Sequence, residues 1–361
     1  MSTKYLVYVN GSTLNVPSNF LKNIVDDFVS LSYVKRINEV GMFTMTLPID
    51  HEVLDTIELD AVVVVRRGSD AITWYSDFTG LYRGATRDIN NNNEQTLNFY
   101  IPDGNSLLER TLCAYYTGHA RSNWTSEQTY DILTDLAAYN MNITGPTGRL
   151  IDPRELVNVP SYTGAGSTIG YSAAFKTLLA ACQEVANIDD YIFSMSSGDV
   201  VPAWTFAINS LGTDRSQEVY FQMERGNIAD LSLDQRRLNE PTKILIAGQG
   251  EGSSRTYVVR TSADYATNNH TEYFMDARDL TLTASLNARA DAKLAETAYK
   301  PKFTFNALQA PNYLYGRDYF LGDKISAYYA GTWFTLRITG VTVNVNGQGE
   351  ESIGLELKDA A

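Results

Sequence analysis

The chain is poor in the residues that most chemistry needs. Two cysteines, Cys113 and Cys182, stand in 361 residues. They are too few and too scattered for a disulfide framework or a cysteine metal cluster. Cys182 falls in the apolar stripe of an expected helix and reads as a small buried hydrophobe. The three histidines, His51, His119 and His270, lie in unrelated segments and form neither a metal pair at helical spacing nor a base beside a nucleophile. No Gly-Lys-Ser/Thr occurs, which removes a phosphate loop. No run approaches the ~18 apolar residues of a membrane span. The longest, Leu59 to Val65, is broken by Asp60 and ends at Arg66-Arg67. The opening MSTKYLVYVNGS lacks the basic and apolar regions of a signal peptide, so a soluble product made in a cytoplasm is expected. Positive charge is also short. With 29 Lys and Arg against 42 Asp and Glu, the net charge is −13. Such a surface repels phosphate and anionic lipid and does not grip nucleic acid by its backbone.

What is present is tyrosine, 23 of them against 4 Trp and 14 Phe. Half-polar rings suit half-buried strands and wet subunit contacts. The length allows two or three domains at roughly 100–200 residues each. Residues 1 to about 101 read as strands: Lys4–Val9 ending in the turn signal Asn10-Gly11, Met42–Leu47, Ala61–Arg67, Trp74–Tyr82, and a hairpin of Thr86–Ile89 and Gln95–Ile101 around Asn90–Asn93. Helical signals follow. One is short, over Asp103–Leu112. The next is capped by Thr125 with Gln128 in the box position and Leu133, Leu136 and Ala137 on one face. Residues 141–170 read as a long loop. Ser172 opens a third helix with Phe175, Leu178, Leu179, Cys182, Val185 and Ala186 on one side. Strands return at Trp204–Ile208, Val219–Gln222, Lys243–Ala247 and Arg255–Arg260. A helix is expected over Asp279–Tyr299, with Leu282, Leu286, Ala290 and Leu294 apolar. Strands at Lys302–Ala307, Lys324–Tyr329, Trp333–Val345 and Ser352–Leu357 close the chain, the last two joined by a turn at Gly347. Blocks of strands and helices in this order indicate an α+β fold, not a repeating βαβ unit.

Two clusters invite a chemical reading and fail it. Gly248-Gln249-Gly250-Glu251-Gly252 follows an apolar strand as a dinucleotide loop would, but strand-forming SSRTYVVRT comes next where a helix should open. It reads as a wide hairpin tip. Asp276 and Asp279 could share a helical face as paired acids, yet Arg278 is adjacent and acids at a helix start serve as caps. Arg66-Arg67 and Arg236-Arg237 are too small for a nucleic-acid patch and read as strand-edge charges. The expectation is a chain that is no enzyme, with no catalytic residue, no cofactor and no metal site.

The second half carries a resemblance. PTKILIAGQGEGSSRTYV (241–258), EYFMDARDL (272–280), IGYSAAFKTLLAACQEVANI (169–188), MERGNIADLSL (223–233) and YFLGDKISAYYAGTWFTLRITGVTVNVNGQGEESIGLEL (319–357) resemble, in that family's order, the ReqiPepy-type tail hub proteins of siphophages. The first half is similar in general character, around Trp74–Arg87 and DGNSLLERTL. The resemblance implies a tail-tip hub related to the hubs of contractile phage tails. Such a hub is a homotrimer whose two small tube-like β-barrel domains per chain present a pseudo-sixfold ring. Its partners would be its own copies, a distal tail protein and tail tube above, and tip, fibre or central spike proteins below. Phage DNA would pass through the channel without specific binding, past a wall expected to be acidic. The place would be the virion tail. No site residues are implied. The expected fold is β-rich, with domains at 1–103 and 206–361 as tube-like barrels and a helix-containing middle domain at 104–205, interleaving allowed. Wall-degrading activity would come from another chain. The rival readings are a receptor- or carbohydrate-binding tail protein and, further off, a cell-wall hydrolase acting through Asp276 or Asp279.

Overall fold

Period-two burial organises the architecture. In Met42–Pro48 the buried residues are Phe43, Met45 and Leu47, and in Gln95–Pro102 they are Leu97, Phe99 and Ile101. Alternation of this kind gives a sheet with one dry and one wet face. The protein, a computed structural model, is described over residues 4–12, 21–68, 74–89, 95–113, 122–141, 157–198, 204–238, 240–267, 270–278, 280–299, 302–310 and 313–360.

The chain begins with β1 (Lys4–Ser12), β2 (Leu21–Val25), β3 (Ser30–Arg36), β4 (Met42–Pro48), β5 (Ala61–Gly68), β6 (Trp74–Leu81), β7 (Ala85–Ile89) and β8 (Gln95–Pro102). A helical region follows: α1 (Ser106–Glu109), β9 (Ser122–Gln128), α2 (Thr129–Met141), β10 (Val157–Asn158), β11 (Thr168–Ala173), α3 (Leu178–Ala186), β12 (Tyr191–Ser197) and β13 (Trp204–Ser210). The remainder is β14 (Tyr220–Phe221), β15 (Ile228–Asp234), β16 (Lys243–Ala247), β17 (Tyr257–Thr261), β18 (Glu272–Asp276), α4 (Thr283–Thr297), β19 (Lys302–Ala307), β20 (Lys324–Tyr329), β21 (Thr332–Val345) and β22 (Glu351–Asp359).

Two compact units result, one of residues 1–231 and 304–361, the other of residues 232–303. In the first, a ten-stranded sheet runs β15-β19-β22-β21-β3-β4-β8-β7, with β20 on β21 and β14 on β20. It joins strands from both ends of the chain, so the expected division at 103 and 206 meets a sheet built from both sides of it. A second sheet runs β2-β1-β5-β6. One of its faces meets the dry face of the long sheet, where Phe78 packs on Tyr33 and Phe43 at ring distances of 5.7 and 5.8 Å. Its other face, through Val62, Val64 and Leu81, joins the core of α2, α3, β12 and β13. That explains Ala61–Val65, every residue of which is buried. A strand dry on both faces reads as a continuous apolar run. The fold is α+β and β-rich as expected, although pairing among the described residues leaves both sheets open at their ends and does not trace closed barrels.

The second unit is a three-stranded sheet, β17-β16-β18, with α4 on one face. Its β16 and β17 are antiparallel, so Gly248–Gly252 lies in a hairpin connection, as the strand-forming sequence after it required.

Several local expectations are overturned. Asn10-Gly11 makes no turn. β1 runs through it, and the register against β2 and β5 shifts there, so the pair serves as a bulge in a strand with partners on both sides. Thr125 caps nothing, because 122–128 is β9, paired antiparallel with β11, and the helix starts at Thr129. Likewise 168–173 is strand; α3 begins at Leu178, capped by Thr177, whose side chain accepts the Ala180 N–H. Phe175 lies outside that helix, exposed, with φ of 59°. The helix of Asp103–Leu112 shrinks to the single turn α1. In the last hairpin it is Gly349, with φ of 75°, that takes the left-handed conformation. Asn90–Asn93 lie outside the described residues.

Candidate functional site

Among the described residues, a dense group of interacting ionisable side chains lies inside the first unit, between its two sheets. Arg67 sits near the end of β5, directly opposite Tyr5 on β1 and Tyr75 on β6. Register alone places both phenols beside it: its Nε is 2.9 Å from the Tyr5 hydroxyl and its Nη1 2.9 Å from that of Tyr75. Glu351, the first residue of β22, takes the guanidinium at two points, Nη2 to Oε1 at 2.6 Å and Nε to Oε2 at 3.1 Å. Tyr5 also donates its hydroxyl to Glu351. Arg67 Nη1 further donates to the Tyr315 carbonyl at 2.5 Å, and the cation lies 5.1 Å from the Tyr315 ring. The next residue is Gly316, with φ of 80°, where a Cβ would overlap Tyr75 and Arg67. Only glycine fits that approach.

A second ion pair continues the seam. Lys35 on β3 points to the dry side and donates to Asp77 on β6 at 2.6 Å, and Tyr33 donates to the other Asp77 oxygen at 2.6 Å. Burial opposes ionisation of Asp77, but Lys35, Tyr33 and Arg67 outweigh it and hold its pKa below the usual value. Burial likewise opposes the Lys35 ammonium, and Asp77 with Tyr315 keeps its pKa raised. Burial, and then the nearby carboxylate, raises the Tyr5 and Tyr33 phenols, which therefore stay neutral. The cluster lies between packed layers, and its charges are spent on one another. It ties the two sheets together in one relation.

The wet face of the long sheet carries a row of polar side chains. Ser352, Asn344, Ser32, Thr44 and Tyr100 stand in one row across β22, β21, β3, β4 and β8. Beside it come Gly354 with Thr342, and Thr46 with Asn98 and Thr86. These residues carry no charge and bond laterally: Ser32 to Asn344 at 2.6 Å, Thr46 to Asn98 at 2.7 Å. Charge begins at the margins, with Asp88 bound by Asn98, Asp230 bound by Asn306, and the Arg36–Glu356 pair.

The residues singled out by sequence do not converge. His51 Nδ1 accepts the Val53 N–H, and its Nε2 lies 3.0 Å from Asp27. His270 stacks on Tyr265 at 4.6 Å. His119 and Asp279 lie outside the described residues. Asp276 ends the strand β18 and pairs with Arg255 and Arg278, and α4 starts seven residues later at Thr283. Cys113 and Cys182 are both buried in one core, where burial pushes the Cys182 thiol up. Arg66-Arg67 was expected at a strand edge, yet β5 lies between β1 and β6, and Arg67 is 4% exposed. Sequence reasoning missed the seam, because its key partners are 284 positions apart. The one available signal was a charged residue continuing a fully buried valine run. Arg236 and Arg237 line a hollow of about 320 Å³ with Glu240 and Tyr299, but Asp234, Asp264 and Glu240 already neutralise them.

Known proteins match this arrangement at two levels. The family model described as siphovirus ReqiPepy6 Gp37-like protein matches residues 18–357. Among solved structures, the 43 kDa tail protein of prophage MuSo2 from Shewanella oneidensis gives a TM-score of 0.65 at 10% identity, covering 98% of this chain and 98% of that one. The tail protein from Neisseria meningitidis MC58 gives 0.63 at 13% identity, covering 99% and 97%. A chain of the Francisella PdpA–VgrG complex gives 0.56 at 8% identity, covering 99% of this chain and 58% of that one. At such identities the likeness concerns the fold. No curated protein sequence matches.

Proposed function

The chain belongs to the siphovirus ReqiPepy6 Gp37-like family, structural tail proteins of the virion with a hub-like fold, and from that premise we propose that it is the tail-tip hub itself. Three copies form a pseudo-sixfold ring that mates with the sixfold tail tube and a distal tail protein above, and with a threefold tip, fibre or spike below. The wet face of the ten-stranded sheet turns toward the bore. Its function is geometric: it matches symmetries and lets DNA pass.

The observation that carries this reading is the uncharged row Ser352-Asn344-Ser32-Thr44-Tyr100 in a chain of net charge −13. Affinity for duplex DNA grows with each phosphate that a cation neutralises. A central row without cations offers little to hold, while hydroxyls and amides keep it wetted. On this reading the wall is neutral at its centre, with Asp88, Asp230 and the Arg36–Glu356 pair at its margins. Electron microscopy of the purified protein tests the proposal. A threefold ring with a duplex-wide bore and this face inward is expected; a ring with this face outward overturns the channel assignment, and single chains overturn the ring.

A further inference from the structure

The unit of residues 232–303 places exposed apolar side chains on the sheet face opposite its helix. Its helix α4 shields Ile244 and Ile246 through Leu286 and Ala290. A single helix covers a single sheet face, and alternation should make the other face polar. Instead Val259, Leu245 and Phe274 stand opposite one another across β17, β16 and β18. They are 44%, 37% and 54% exposed. Tyr257, on the same face of β17, is 67% exposed. An aligned aromatic and aliphatic row of this kind marks a protein contact.

Charge indicates what covers it. Residues 232–303 hold ten Lys and Arg against nine Asp and Glu, a net of +1, which leaves −14 on the rest of a chain whose total is −13. Two copies therefore repel each other over most of their surface and least at this unit. The row itself is flanked by self-neutralised pairs, Lys243 with Glu272 at 2.6 Å on one side and Arg255 with Asp276 on the other. Depletion of net charge around an apolar centre is the pattern of an interface core. A face of this kind can approach the acidic body of a like chain, where an acidic face could not.

We propose that the Val259-Leu245-Phe274 face is a contact between copies, seated head-to-tail on the acidic unit of the next chain. A head-to-tail contact that closes makes a ring, so the inference rests on the ring reading and adds to it the surface that joins the copies. The row is small, so it is the centre of the contact and not its full extent.

The test uses the full chain with Leu245→Glu and Phe274→Glu, each made separately, followed by sedimentation across a concentration series. Both side chains are exposed, so the fold should survive, which circular dichroism checks. Burying a carboxylate at the centre of a contact should raise the concentration for half-assembly by about tenfold or more. In parallel, a photo-crosslinking residue at 274 should join two copies, with the attachment on the partner outside 232–303, and this arm stands even where a glutamate variant misfolds. Variants that assemble like the parent overturn the inference and leave the ring intact. A parent that sediments as one chain overturns both. Variants that assemble normally but lose a different tail protein assign the face to that protein and overturn the second copy as its occupant.

Discussion

Arg67 and Arg260 both lie on β-strands and both grip a carboxylate at two points, yet water reaches only one of them. Arg67 meets Glu351 at 2.6 and 3.1 Å, with the two side chains 4% and 7% exposed. Arg260 meets Asp291 at 2.6 and 2.8 Å, with 44% and 47% exposed. Matching geometry does not mean matching energy. An exposed pair gains little over its solvated parts, whereas removing one member of a buried pair strands the other in a medium that cannot solvate it. The first unit thus uses charge to fix how its sheets meet, and the second wears it on a surface where it does little more than keep the protein wet.

The largest expected effect comes from breaking the buried grip. Glu351→Gln should cost about 3–5 kcal/mol in denaturant unfolding, because Arg67 keeps its charge and loses its counter-ion. A loss under about 1 kcal/mol would mean that water enters the seam and would erase the contrast with Arg260.

Next comes a carboxylate buried without a touching cation. Asp103 accepts the Gly41 and Asn105 N–H groups at 2.8 and 3.0 Å, and burial still raises its pKa to about 6. A folded-state pKa above the unfolded value means that the native state binds the proton more tightly. Its contribution is therefore complete below about pH 4 and is lost as pH rises through about 6, a decline of up to about 3 kcal/mol. The stability difference between the parent and Asp103→Asn, followed from pH 4 to 7 by urea unfolding, should fall by that order. A flat difference rejects the assignment. Asp77 behaves in the opposite sense, its lowered pKa keeping its contribution intact across that window and losing it only in stronger acid.

Asp77→Asn should cost about 1.5–3 kcal/mol, the range for a hydrogen bond to a charged group. The loss is smaller than at Glu351 because the Lys35 side chain is 26% exposed and can rehydrate. A larger loss than that of Glu351→Gln would reverse the ranking. Smallest of all, Asp291→Asn should change stability by about 0.2–1 kcal/mol and fade further in high salt. A salt-independent loss of several kcal/mol would show that Arg260 behaves as if buried.

What could be read from the sequence follows the same division. The strands β4, β5, β16 and β20 were legible because burial alternates or runs unbroken within one segment, and a segment reports its own period. Much of the buried face of α3 was legible for the same reason, with Leu178, Leu179, Cys182, Val185 and Ala186 all dry. Local signals failed where a distant partner outvoted them. Thr125 and Gln128 satisfy a capping pattern, but pairing with β11 takes them into a strand. Asn10-Gly11 has turn chemistry, but β5 keeps β1 extended through it. The seam was illegible in principle, since nothing near Arg67 announces Glu351 or Tyr315. The wet row on the long sheet was equally hidden, because Ser32, Thr44 and Asn344 look like ordinary strand polars until register sets them side by side.

The proposed function is one of shape, and the mass of the parent protein in solution tests it most directly. The account predicts a particle of three times the 40.1 kDa chain mass at micromolar concentration. A species that remains a single chain as concentration rises, or that settles at a number of copies not divisible by three, contradicts it.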